Sequence, residues 1–169
     1  MKIIKKFYYL FTGLFTFIIY LTTLAPSVVK IDSGELAAVQ STLGIAHPTG
    51  YPLFTMIGYA ISLIPAPFSN IYKVNLLAAI WCAAGAAVFV YTAKYILDNV
   101  KVFSLTEKSH KPKVKKKIKG KQDSGKKELF SIPENKKIIS AVAGGLILAF
   151  SSTFWIQSTS VEVYSLHIF

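Results

Sequence analysis

Asp32 and Glu35 stand three residues apart in Asp32-Ser33-Gly34-Glu35, directly ahead of Leu36-Ala37-Ala38-Val39-Gln40-Ser41, a run with the composition of a short helix. Acids in that place have two uses. The structural one is a capping box, with Asp32 as N-cap and Glu35 at the third helical position. The chemical one is proton transfer. A helix N-terminus favours an ionised carboxylate through its dipole and free amides, and an ionised carboxylate can take the proton of an attacking hydroxyl. Farther on, His47-Pro48-Thr49-Gly50-Tyr51-Pro52 reads as a turn leading into a helix, with Gly50 free to adopt positive φ. His47 is there either a solvated loop residue or a contact for a phosphate or a sugar hydroxyl, and Tyr51 can stack or hydrogen-bond. Lys73 and Asn75 open a later apolar run, where Lys73 is either an interfacial anchor or a cation that neutralises a phosphate. Glu162 and Tyr164 either line the same cavity or face solvent. One histidine and two acids without ligand-like spacing do not make a metal site, and none is expected.

The elements that must hold these residues are apolar blocks. Of 169 residues, 53% are hydrophobic and the mean hydropathy is +0.48, with the apolar residues in long unbroken runs. Such runs leave too few polar helix faces for a water-soluble domain and point to a bilayer. Phe7 to Ala25 carries no charge and is long enough to cross a hydrocarbon core of about 30 Å at about 1.5 Å per residue. It follows a basic start, as a signal peptide does, but is longer than a signal core and is followed by the poor cleavage site Ala25-Pro26, so an uncleaved anchor is expected. Residues 26–73 form a loop with a short helix over 53–64, started by Pro52 and stopped by Pro65 and Pro67, too short to span and expected to lie in the interface. A second span covers 74–97, with Lys94 snorkelling to the headgroups and small residues from Ala83 to Ala87 suited to close helix packing. A third covers 138–156, inside a final segment 138–169.

Charge orients these spans. Of 19 lysines, thirteen fall between Lys101 and Lys137 against four acids, a local net charge of +9, and three more lie within the first six residues. Cytoplasmic flanks hold the excess of Lys and Arg, so the N-terminus and residues 101–137 are expected in the cytoplasm of a multi-pass inner-membrane protein. Residues 26–73 then lie outside. The stretch 101–137 is too charged and too poor in aromatics to bury a core and is expected to be a disordered loop, attracted to anionic membrane lipid. With no arginine and no interleaved aromatics it does not resemble a nucleic-acid-binding module. Cys82 is the single cysteine, inside an apolar block, and is expected to pack.

Leu24-Ala25-Pro26, Asp32-Ser33-Gly34-Glu35-Leu36, Leu43-Gly44-Ile45-Ala46-His47-Pro48-Thr49-Gly50-Tyr51-Pro52-Leu53-Phe54 and Lys73-Val74-Asn75-Leu76-Leu77 together resemble the transmembrane protein O-mannosyltransferase-like family, glycosyltransferase family 117, once a domain of unknown function. Trp155-Ile156-Gln157 and Val161-Glu162-Val163-Tyr164-Ser165-Leu166 look like its next stretch. The resemblance implies an all-α integral membrane protein, a GT-C-like polytopic helical bundle of which this chain holds about three transmembrane helices plus interfacial helices. It further implies transfer of a sugar, mannose in members of known activity, from a polyprenyl-phosphate donor to an acceptor hydroxyl on a protein or glycan, with no cofactor. Asp32 maps to the catalytic acid, Glu35 to its companion, and His47, Gly50 and Tyr51 to the loop shaping the cavity, while Lys73 is a candidate for the donor phosphate. Thr49 stands where the family usually has a second proline, and the Lys-rich insertion is foreign to its pattern. A GT-C site draws on more helices than three, so the chain is expected to be an incomplete and inactive piece. A transporter subunit or an inactive truncated membrane protein is the alternative.

Overall fold

A computed structural model describes residues 2–29, 31–48, 50–99 and 132–168. The expected disordered loop, 101–137, falls mostly outside the described residues. The elements are α1 (Lys2–Thr22), α2 (Ile31–Thr42), α3 (Pro52–Ser62), α4 (Asn70–Asn99), α5 (Glu134–Ala149), α6 (Ser152–Thr159) and α7 (Tyr164–Ile168). Among the described residues there is no strand, and all the regular structure is helical.

The central helix α4 carries the others. Its alanines and glycine make a low-relief surface on which α1 and α5 close from different sides. A Cβ added to Gly13 would lie 2.9 Å from that of Ala87, and one on Gly145 would collide with Val90. The small-residue stretch therefore works as the sequence indicates, because backbones approach where side chains are absent. Cys82 is fully buried in the cluster formed by Tyr20, Leu24, Ala79, Ala83, Ala86, Ala149 and Phe154.

Among the described residues one helix, α4, is long and apolar enough to cross a membrane, and α5 with α6 makes a second if the bent pair is one span. The expected first span, 7–25, is shorter in the structure. Phe7 departs from helical dihedrals (φ −117°, ψ 19°) and the helix stops at Thr22. Thr22 Oγ1 donates to the Ile19 carbonyl and the Thr23 N–H to that of Tyr20, which ends the ladder ahead of Pro26, a residue that disfavours helix just before it. The expected third span, 138–156, starts earlier and bends. Pro133 precedes it and Glu134 places a negative charge in its first turn. After Ala149 the axis turns by 66° into α6.

That bend has identifiable causes. The Phe150 and Ser151 N–H groups donate to Leu146 and Leu148, and Ser151 Oγ donates again to Leu148. The carbonyl of Ala149, left over at the turn, accepts a 2.7 Å hydrogen bond from the hydroxyl of Tyr20 on α1. Phe150 and Trp155 pack edge-on or tilted against the Tyr20 ring and each other, with centroids 5.4 to 6.5 Å apart.

At the far end of α4, Lys94 pairs with Asp98 one turn on, Lys137 of α5 reaches the same carboxylate at 3.1 Å, and Glu134 lies 3.7 Å from Lys94. Lys94, expected to snorkel, is held by two acids at this end of the helix. The pairs tie the ends of α4 and α5 together. Their exposure limits each to roughly 0–1 kcal/mol.

Candidate functional site

Helix α2 lies across the end of the bundle opposite the Lys94–Asp98 pair. Leu36, Ala37 and Val39 on its underside pack with Ala46, Phe54, Val74, Val161 and Val163 into a second core cluster. Asp32 and Glu35, on the same helix, are exposed.

The capping box expected from their spacing is not what forms. α2 includes Ile31, so Asp32 sits inside the first turn rather than at the cap. The Glu35 carboxylate reaches out of the helix, accepting the His47 backbone N–H at 2.7 Å, with His47 Nδ1 3.1 Å from its other oxygen. A carboxylate that accepts two bonds from one loop residue is better satisfied than one returning to a single amide. It is Ser33, buried, whose hydroxyl faces back to accept the Val29 N–H at 3.4 Å. Asp32 has no hydrogen-bond or ion-pair partner among the described residues.

Among the described residues the backbone between these acids and α3 takes positive φ at three points. Leu43 closes α2 in the left-handed region (φ 54°), with the Gly44 N–H returning to the Val39 carbonyl. This is a Schellman closure with leucine where glycine is usual. Gly50 takes φ 83°, the positive value expected of it, and its N–H donates to the His47 carbonyl. Tyr51 follows at φ 43°, ψ 56° and precedes Pro52, the first residue of α3. Left-handed leucine and tyrosine each cost about 1–2 kcal/mol, and such residues persist only where their surroundings over-determine them. Here the Glu35–His47 clamp and the edge-on His47–Tyr51 ring contact, 5.8 Å between centroids, supply that constraint. The His47 N–H groups hold the Glu35 carboxyl below the usual carboxylate range, the backbone N–H contributing most.

Asp32, Glu35, His47, Gly50 and Tyr51 are thus connected through one helix and one loop. Lys73 is engaged elsewhere. Its ammonium donates to the carbonyls of Ser62 (3.0 Å) and Ile64 (2.8 Å) and to Asn70 Oδ1 (3.3 Å). An ammonium has three N–H donors, and these acceptors match them. Lys73 caps the C-terminus of α3, where a cation is favoured, because the chain after α3 doubles back against the start of α4. Tyr164 is exposed, whereas Glu162 is buried between Val161 and Val163.

A cavity of about 570 Å³ adjoins the loop, lined by Leu43, Ile45, Gly50, Pro52, Met56 and Tyr59 among others. Its walls are mostly apolar. Thr55, also in the lining, is 3% exposed, and its hydroxyl has no partner among the described residues. Nothing local in the sequence marks this cavity, which lies where Leu43, Gly44, Ile45 and Gly50 meet the Pro52, Thr55, Met56 and Tyr59 side of α3.

Sequence reasoning overlooked the role of Asn75. Fully buried on α4, its Nδ2 donates to the Ala25 carbonyl and its Oδ1 accepts the Val161 N–H, both at 2.8 Å. An asparagine near the start of an apolar helix is the only local signal of this, and its partners lie 50 and 86 residues away.

Residues 32–169 match the family described as the protein O-mannosyl-transferase TMEM260 N-terminal domain. The protein O-mannosyl-transferase tmem260 of Dictyostelium discoideum is 40% identical over 84 residues, covering 48% of this chain and 10% of that protein. The protein O-mannosyl-transferase TMEM260 of Mus musculus is 40% identical over 75 residues, covering 44% and 10%. In each case the matched part is a tenth of the relative's length. No solved structure matches. With the match running from Asp32 through the clamped loop, Asn75 and the bent α5–α6 pair, the chain belongs to the protein O-mannosyl-transferase TMEM260 N-terminal domain family.

Proposed function

We propose that the whole protein is a membrane glycosyltransferase that moves a sugar, mannose by analogy with its relatives' names, from a polyprenyl-phosphate donor to a hydroxyl on a protein or glycan. In this reading the chain supplies the extracytoplasmic acidic loop of a GT-C-like bundle. The observation that carries it is the division of labour between the two acids: Glu35 is engaged in holding His47, while the Asp32 carboxylate stands exposed and unpaired one helical turn away on the same helix.

The chemistry follows from that division. Asp32 accepts the proton of the acceptor hydroxyl as its oxygen attacks the anomeric carbon. The bond from that carbon to the donor phosphate oxygen breaks, and the lipid phosphate leaves with the electron pair, inverting the centre. Developing charge on the phosphate needs hydrogen-bond donors. His47 is the candidate in this chain, with Lys73 withdrawn to α3. Its Nδ1–H faces Glu35, so a neutral ring presents Nε2 as an acceptor, and only the imidazolium offers a second N–H to a phosphate oxygen.

Two further features support a membrane setting and a lipid donor. Asn75 and Lys94 are nineteen residues apart on α4, about 29 Å along the axis, so the polar ends of the bundle are separated by about the hydrocarbon thickness. Between them Leu10, Leu14, Ile18, Val88, Phe89 and Ile147 are exposed, as lipid-facing residues are. The apolar cavity beside Gly50 and Pro52 offers room for part of a hydrophobic chain next to the acids. The lysine-rich end is cytoplasmic by the charge rule.

Asp32→Asn in the full-length protein tests the assignment. Transfer from a polyprenyl-phosphate sugar is expected to fall at least a hundredfold while membrane insertion and thermal unfolding stay as in wild type. Retained transfer would remove Asp32 from the role of base.

A further inference from the structure

Three segments meet at Asn75. The link after α1 brings in Ala25, whose N–H donates to the Thr159 carbonyl at the end of α6 (2.9 Å) and whose carbonyl accepts from Asn75 Nδ2 (2.8 Å). The link after α6 brings in Val161, whose N–H donates to Asn75 Oδ1 (2.8 Å). Ala25, Asn75, Val161 and Thr159 thereby close a ring of hydrogen bonds around a side chain with no exposed surface. Only one orientation of the amide serves both partners, its NH₂ toward the carbonyl and its oxygen toward the N–H. No other residue type of that length both donates and accepts from a planar end without charge.

The ring sits directly beneath α2. Ala25 is seven residues ahead of Asp32 on the segment that enters α2. Val161 and Val163, beside the other bond, pack in one cluster with Leu36, Ala37 and Val39 on the underside of α2. Helix α2 is thus held at its entry by Ala25 and from below by the valines, and both supports are pinned by Asn75. Gln40 ties α2 to the Phe54 carbonyl of α3, but toward the valines and α4 the underside presents Leu36, Ala37 and Val39, apolar side chains that fix depth but not sliding; the directional bonds to Asn75 fix the position of those supports.

We infer that Asn75 is the positioning residue of the site: it sets where α2, and with it the carboxylates of Asp32 and Glu35, stands over the central helix, without itself touching substrate. The inference rests on the proposed transferase reading for its kinetic consequence but not for its geometric one. A displaced base loses rate rather than binding, and a misplacement of about 1 Å costs on the order of a hundredfold.

The experiment uses the full-length protein in nanodiscs, with spin labels on Ala38→Cys of α2 and Ile156→Cys of α6, both exposed positions. Wild type is expected to give one narrow distance distribution. Asn75→Leu, which removes both bonds at similar volume, is expected to broaden or shift it. In the same preparation kcat should fall tenfold to a hundredfold with the donor KM within about twofold. Asn75→Asp keeps an acceptor for Val161 but loses the donor to Ala25; it should show the same changes, and it is the variant to read if Asn75→Leu does not insert. A wild-type-like distance distribution in an inserted variant overturns the inference, as does a raised KM with unchanged kcat. Absence of transfer by the wild type would instead strike the transferase reading, leaving the distance measurement to decide the role of Asn75.

Discussion

The carboxylate of Glu35 holds His47 at two points, the backbone N–H at 2.7 Å and the ring Nδ1 at 3.1 Å, and so ties a helix to the loop twelve residues later. The bonds favour the ionised acid, and the Glu35 pKa is accordingly lowered, the His47 backbone N–H being the largest cause. The sign for stability follows. A group with a depressed folded pKa contributes above its unfolded value, about 4.3 for glutamate, and that contribution disappears as pH falls through the folded value. The clamp is therefore intact at neutral pH and opens only in acid. Cleavage of the Leu43–Tyr51 loop, followed at each pH with a protease active there, should rise below about pH 4 in wild type. Glu35→Gln, which cannot offer two charged acceptors, should be cleaved readily at every pH and should lose about tenfold or more of transfer. Equal cleavage of variant and wild type at pH 7 would show that the clamp does not restrain the loop.

Much of this was legible in the residues, and what was not has a common cause. Pro52 started α3, with Pro65 and Pro67 beyond its end, because proline acts on its own backbone. The Ala83–Ala87 stretch announced close packing because absent side chains need no partner identity. Gly50 adopted the positive φ expected of it. The Asp32–Glu35 spacing, by contrast, fits a capping box and a loop clamp equally well, and the choice was made by a histidine twelve residues away. Lys73 carried the same charge whether it met a phosphate or the carbonyls of α3. Asn75 had no local partner at all. Side chains whose role is set by distant backbone groups are the ones a sequence leaves open.

Lys73 gives a direct test between those two fates. If it caps α3, Lys73→Met removes three hydrogen bonds and a favourable helix-end charge from a half-exposed site, and the expected loss is about 1 kcal/mol. Thermal unfolding of the purified protein should report it, while the donor KM stays within twofold. A KM raised tenfold with unchanged unfolding would return Lys73 to the phosphate.

Gln40 and Gly58 form the contact that seats α2 on α3. Gln40 is fully buried, its Nε2 donates to the Phe54 carbonyl at 3.0 Å, and a Cβ on Gly58 would collide with its side chain. Gly58→Ala should therefore destabilise by about 1–3 kcal/mol, the usual range for overpacking, although alanine is the better helix former. Shortening the opposing side chain should relieve it. In the double-mutant cycle, Gln40→Ala with Gly58→Ala is expected to be more stable than the sum of the single changes predicts. Strict additivity would mean that the two helices do not meet at this pair.

Tyr20 and Ser151 divide the work of holding the bend between α5 and α6, and their shares differ. The Tyr20 hydroxyl serves the Ala149 carbonyl from another helix, at a fully buried site. Ser151 serves Leu148 from within the bend, at an exposed one. Tyr20→Phe leaves a buried carbonyl without its donor, at a cost of about 1–2 kcal/mol. Ser151→Ala leaves Leu148 with the Ser151 N–H it already has, and should cost about 0.5 kcal/mol or less. Equilibrium unfolding in mixed detergent should rank the variants in that order. If Ser151→Ala proved the more damaging, the 66° turn would be a local property of the Phe150-Ser151-Ser152 sequence, and the contact with α1 a consequence of the bend rather than its support.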